Sequence, residues 1–323
     1  MAGLPGPELD RSTLELIQGY GINNFILFRR NVATPGQLTD LCRSLTRACR
    51  EAGLDPPLIS IDQEGGTVAR LPEPFTQFPD ARKLAQAPEA EELLGGYART
   101  CVRELLGVGI NMNLSPVLDV CPEGRNLFME RRCLGNDPRE VARLGCIIIG
   151  TMQEGGLAAC AKHFPGLGGA ELDPHLVLPT VSRSRRSIIE EDLEPFRAAA
   201  AAGVAAIMTS HTIYPAIDPE NPATMSEKIL TGMLRQEMGY EGVIVTDDLE
   251  MGAIEKNQTV AAASVAAFRA GSDLLLICHE HYKVVAAFNL LLQALADDPS
   301  LGELFPKAIR RIEQLQKRFT IIP

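Results

Sequence analysis

Ionisable side chains recur in this chain directly after short apolar runs, where they could act on a bound molecule. The run at 58–61 is followed by Asp62 and Glu64, and the segment MNLSPVLDV brings Asp119. ACAKHFPGLGG supplies Lys162 and His163, TSH supplies His211, and GVIVTDDLEM supplies Asp247 and Asp248. Carboxylates, an amine and imidazoles are costly to desolvate, so their convergence marks a place where charge is used. Any one of them alone reads equally as a structural ion pair or a cap, and for Glu64, Asp119 and Asp248 that reading stands level with direct contact. The loop LGGAELDPHLVLP adds Asp173 and His175, two apart across Pro174. Proline biases its neighbours toward extended backbone, which puts residues i and i+2 on one side. A carboxylate there can bond the imidazole, fix its tautomer and favour its charged form, giving a usable general acid near neutral pH. A solvated loop is the plain alternative.

These groups need a frame that delivers them to one place. Candidate strands lie at 25–28, 58–61, 110–114, 158–163, 205–210, 243–246 and 274–278. Between them run amphipathic stretches at 8–20, 35–52, 88–107, 137–155, 187–203, 227–239 and 259–271, with a last helix at 304–319. Several open on a capping residue and close on glycine, as with Ser187 and Glu190, or Ser226 and Gly239. Strand–helix alternation means a parallel sheet. Polar clusters after several different strands favour a closed (β/α)8 barrel, because an open sheet gathers ligands at one switch point. An eighth strand is expected in MAGLP or within 71–79. No composition shift marks a linker, so residues 1–323 are expected to form one catalytic barrel domain.

Composition narrows the function. The 323 residues are 46% hydrophobic and 22% charged with a formal net charge of −10, which gives a large core and disfavours a phosphate-rich partner. Lysine and arginine form no cluster; Arg29 and Arg30, and Arg131 and Arg132, are separate short groups. Nucleic-acid binding and membrane association are therefore not expected, and oligomeric state is left open. The eight cysteines include no CxxC pair and read as buried thiols in a reducing compartment. Gly166–Gly168 imitates a dinucleotide fingerprint without its third glycine, and His279-Glu-His281 reads as a polar strand-end turn rather than a zinc site. The phenylalanine pairs 25/28 and 75/78 read as packing. No basic-then-apolar leader and no membrane-length apolar run is present, so the default address is the cytoplasm.

Four ordered segments carry a resemblance. KHFPGLGG followed by DPH and LP resembles the KHFPGHG…D-S-H…P signature of glycoside hydrolase family 3, in its bacterial β-N-acetylhexosaminidase branch. LRQEMGYEGVIVTDDLEMGAI resembles that family's second signature, IDQEGGTVARLP its IDQEGG-x-V-x-R segment, and RCLGNDP its R-S-F-G-x-D-P segment. The resemblance implies that Asp247 is the nucleophile, that His175 is the acid/base supported by Asp173, and that Asp62, Arg70, Arg132, Lys162 and His163 bind the sugar. It implies a retaining exo-β-N-acetylglucosaminidase acting by double displacement, without metal or organic cofactor, on a GlcNAc-containing oligosaccharide or muropeptide in peptidoglycan recycling. Related two-domain β-glucosidases are thought to take their acid/base from a second domain; this chain ends at Pro323, so the expected donor is the 173–175 loop. Leu167 and Pro174 depart from the usual His and Ser or Thr. Chitin oligosaccharides as substrate, an aldolase-like Schiff base at Lys162, a silent sugar-binding protein, and a substrate-assisted route through Asp247 and Asp248 remain alternatives.

Overall fold

The structure, a computed structural model, describes residues 1–124, 127–170 and 178–320. Eight parallel strands form one sheet: β1 (Ala2–Gly3), β2 (Asn24–Leu27), β3 (Leu58–Ile61), β4 (Met112–Asn113), β5 (Ala158–Phe164), β6 (Ala206–Thr209), β7 (Val243–Asp248) and β8 (Leu274–Leu276). They stand in chain order, and the sheet closes on itself. Gly3 N–H donates to Ile277 O at 2.9 Å, and Ile277 N–H donates to Met1 O at 3.1 Å. The expected (β/α)8 barrel is therefore the observed fold, with its eighth strand in the opening residues and none at 71–79.

Strand alternation decides which side chains can meet inside. Phe25, Leu27, Ile59, Ile61 and Ile207 belong to the core between strands and helices, whereas Ile26, Leu58, Cys160, Met208, Val243 and Val245 form a separate interior cluster. Side chains two apart share a face. Continuing each inward phase past the last strand turn puts Phe28, Asp62, Lys162 and Asp247 in the barrel mouth. The ladder is irregular between Ala161 and Phe164 and between Val245 and Asp248, so His163 and Asp248 escape strict alternation.

The helices begin and end for local reasons. Asp10 accepts from Ser12 and Thr13 N–H at the start of Arg11–Tyr20, which Gly21 ends with φ 66°. Thr34 with Pro35, and Asp137 with Pro138, open two further long helices in the same manner. The stretch expected at 187–203 is broken. Ser184 caps Arg185–Ser187, a π-helical stretch covers Ile188–Asp192, and the α-helix resumes over Glu194–Ala201. Pro195 has no N–H to give the preceding turn, and the widened turn accommodates that loss. The helix His281–Asp297 was not expected; it begins without a side-chain cap. Cys121 and Cys133 form a disulfide with Cα atoms 6.1 Å apart, which corrects the reading of all eight cysteines as thiols; the other six are free. No described helix is long and apolar enough to cross a membrane.

Candidate active site

At the C-terminal end of the strands, Lys162 Nζ lies 2.7 Å from Asp62 Oδ1 and 2.6 Å from Glu64 Oε1. Arg132 grips the same Glu64 as a fork, Nε to Oε2 at 2.9 Å and NH2 to Oε1 at 2.8 Å. Burial alone would push the Glu64 carboxyl up, but the Arg132 and Lys162 cations outweigh it and hold it below its ordinary value. Burial likewise works against the Lys162 ammonium, and Asp62 and Glu64 overcome it and keep it charged. A Schiff-base lysine needs a neutral amine; this one is clamped as a cation. Glu64 is spent on the two cations and serves to hold them.

Arg70 reaches the same cluster by way of a hairpin, Gln63–Gly65 against Val68–Ala69. Gly65 and Gly66 turn it at φ 97° and 55°, and a Cβ on Gly66 would sit 2.0 Å from Asp80 Oδ1. These glycines make the turn. The Arg70 guanidinium lies 3.4 Å from Asp62, and its Nε is a buried donor with no protein partner. His163 is oriented by fully buried Asp119, whose Oδ2 is 2.8 Å from Nδ1. Asp119 also accepts the His163 and Leu167 N–H groups, so it fixes the ring with Nδ1 as donor and leaves Nε2 for a ligand hydroxyl. Leu167, where histidine is usual, is buried in the core.

Asp247 is the penultimate residue of β7, and its Oδ1 accepts the Asp248 N–H at 2.8 Å. Asp62, Arg70, Arg132, Lys162, His163 and Asp247 all line one cavity of about 380 Å³. A larger depression of about 710 Å³ at the opposite end, beside Tyr240 and Phe319, contains none of them. His211 is not in the mouth. It is fully buried, pairs with Thr224 Oγ1 at 2.8 Å, and bonds the Asp248 carbonyl at 2.9 Å. Burial holds its imidazole below the ordinary value despite Asp247 and Asp248, so it stays neutral and structural. Asp173 and His175 lie outside the described residues. Two aromatic residues of the cavity escaped the sequence reading: Phe28, assigned to packing, and His279, assigned to a turn. The inward phase of β2 was a signal for Phe28; only its place after β8 pointed to His279.

What such a site can do follows from its charges. Three cations, a buried imidazole and three carboxylates, Asp62, Asp247 and Asp248, line a cavity of small-molecule size, matching a polyhydroxylated ligand held by charge-assisted hydrogen bonds. Glu64 lies behind that lining, clamped by Arg132 and Lys162.

Comparison with known proteins points the same way. The family model "Glycosyl hydrolase family 3 N terminal domain" matches residues 4–315. A β-hexosaminidase of Pseudomonas aeruginosa is 35% identical over 300 residues, covering 93% of this chain and 88% of that protein. A family 3 β-N-acetylglucosaminidase from Paenibacillus superposes with a TM-score of 0.94 at 40% identity, over 98% of this chain; the chain spans 60% of that longer protein. NagZ from Neisseria gonorrhoeae, in complex with N-trifluoroacetyl-D-glucosamine, superposes with a TM-score of 0.77 at 30% identity over 96% of this chain and 97% of that one.

Proposed function

The chain belongs to glycosyl hydrolase family 3 and is a glycoside hydrolase; from that premise we propose that it is a retaining exo-β-N-acetylglucosaminidase using Asp247 as nucleophile. The observation that carries this reading is the single cavity in which Asp247 meets Asp62, Arg70, Arg132, Lys162 and His163. Asp62 and Lys162 bind hydroxyls while neutralising one another, and the Arg70 guanidinium, which lines the same cavity, supplies further donors. Asp247 attacks the anomeric carbon as the glycosidic bond breaks, giving a covalent glycosyl-enzyme. His175, held by Asp173, protonates the departing oxygen, then as neutral imidazole takes a proton from the water that releases the sugar. One carboxylate and one imidazole thus fill roles usually held by two carboxyl groups. No metal or organic cofactor enters this scheme. In it the whole chain acts as one catalytic domain, in the cytoplasm, on GlcNAc-terminated fragments such as those released from peptidoglycan.

The deciding assay compares 4-nitrophenyl N-acetyl-β-glucosaminide with the corresponding β-glucoside, with and without chelator. The acetamido sugar should be the better substrate and chelator without effect; equal or greater activity on the plain glucoside overturns the proposal. A 2-fluoro sugar with a good leaving group should label Asp247. Turnover with no covalent intermediate would instead favour the substrate's own acetamido group as nucleophile.

A further inference from the structure

We propose that His279 is the platform for the leaving group, presenting one face of its imidazole to a second pyranose ring as that ring lies across the mouth. The inference rests on the glycosidase reading above and adds to it the residue that selects the aglycone.

The first argument is depth. The polar groups of the cavity sit at its bottom, with Lys162 only 2% exposed, whereas the His279 side chain is 52% exposed at the rim of the same cavity. His279 Nε2 lies 3.5 Å from Asp248 Oδ2, and Asp248 is the direct neighbour of Asp247. His279 and Asp247 line the same cavity, with His279 on its solvent side. A leaving group that departs from the face opposite Asp247 and extends out of the cavity toward solvent must cross that rim, where His279 is the exposed ring.

The second argument is preorganisation. An exposed surface imidazole is ordinarily free to rotate, but this one has neighbours at both nitrogens and on one face. Asp248 holds Nε2, and Arg30 NH1 approaches Nδ1 at 3.4 Å. Phe28 covers one face, stacked at 5.8 Å between centroids and 29° between planes. Phe28 is fixed in turn by the Arg30 guanidinium 4.5 Å over its ring. Arg30 is anchored by Leu4 O at 2.8 Å and Cys278 O at 2.5 Å, and the His279 N–H is bonded to Glu250. A ring fixed in this way costs no ordering when a ligand lies on its remaining face.

The third argument is chemistry. A pyranose offers an apolar C–H face that packs on a flat aromatic surface while its hydroxyls stay wet. The chain contains no tryptophan. Among the described residues, the aromatic rings lining this cavity are Phe28, His163 and His279; His163 is at the bottom and Phe28 backs His279. His279 is the ring left to offer a face at the rim.

The test compares two substrates that need similar help from the acid and differ in the ring they release: N,N′-diacetylchitobiose and methyl N-acetyl-β-glucosaminide. kcat and KM are measured for wild type, His279→Ala and His279→Phe. In His279→Ala the ratio of kcat/KM, disaccharide over methyl glycoside, should fall roughly tenfold, chiefly through KM for the disaccharide. His279→Phe, which keeps a flat face and removes the nitrogen contacts, should restore most of that ratio. Equal losses on both substrates would mean that His279 acts through Asp248 on the nucleophile, and an unchanged ratio would mean that the ring touches nothing; either overturns the proposal. Wild-type turnover of the methyl glycoside but not the disaccharide overturns it too. A wild type inactive on both substrates, and on the aryl glycoside, removes the glycosidase reading itself.

Discussion

Buried charge collects at both ends of this barrel, and the two collections are built differently. At the N-terminal end of the strands, Asp273 is closed off: Oδ2 accepts from Arg235 and from Ile244 N–H, and Oδ1 accepts from Arg311 at 3.0 Å. At the mouth, Lys162, Arg132, Asp62 and Glu64 also pair tightly, yet the network does not close. The side chains of Arg70, Asp247 and His279 line the open cavity beside it. Both clusters bear the cost of desolvating ions, which attraction between partners only partly offsets. A cluster complete in itself can only support the fold. One that leaves donors and acceptors pointing into a cavity is set up for a ligand.

The strongest way to break this comparison is to exchange the expected phenotypes of Asp247 and Asp273. Asp247→Ala should lower turnover at least ~10⁴-fold, about 5.5 kcal/mol of barrier, because the covalent route is lost. Its unfolding midpoint should stay close to wild type. Next in size, His175→Ala should cost ~10²–10⁴-fold with alkyl or sugar leaving groups and much less with a dinitrophenyl group. With that activated substrate, azide should restore turnover and give a β-glycosyl azide. Equal slowness on activated and unactivated substrates, with no azide effect, would make the 173–175 pair a structural contact.

Asp273→Ala should give the reverse pattern. Removing the acid strands Arg235 and Arg311 beside one another, a change that typically costs 3–5 kcal/mol. Denaturant unfolding should show that loss, while kcat per folded molecule on the aryl glycoside stays near wild type. A large loss of kcat with unchanged stability would contradict the division between the two ends.

Much of this frame could be read in the sequence because parallel strands covered on both faces are continuous apolar runs. The runs at 58–61 and 158–163 fall on β3 and β5, and the inward phase of Val243 and Val245 on β7 leads to Asp247. Depth could not be read. Asp119, His211 and Asp247 each follow a strand-like run, yet the first orients His163, the second is sealed behind Asp248, and the third lines the cavity. Position along a chain does not encode what packs over it. Cys121 and Cys133 lacked any spacing signal; they meet because the chain between them doubles back, with Cys121 N–H donating to Gly135 O. The helix His281–Asp297 was hidden by its uncapped start and its dense run of Ala and Leu.

Asp192 gives the smallest and most discriminating test, because it stands between the two designs. Like Asp273 it is buried, but it has one arginine instead of two: Oδ1 meets Arg183 at 2.5 Å, and Oδ2 has no partner among the described residues. Burial pushes its carboxyl up to about 7, with Arg183 only partly opposing and Glu191 and Asp119 adding to the rise. The folded protein therefore holds this proton more tightly than the unfolded chain, whose aspartates titrate near 3.9. Stability from this group is fully present below about pH 4 and is lost as pH rises through 7. Asp192→Asn cannot titrate. Its stability relative to wild type should rise between pH 5 and 8 by on the order of 1–3 kcal/mol, a few degrees in Tm. Thermal unfolding at three pH values in that window decides it. A difference that stays flat with pH, or that turns against the amide as pH rises, would show that Arg183 alone completes the pair and that Asp192 belongs with the closed cluster.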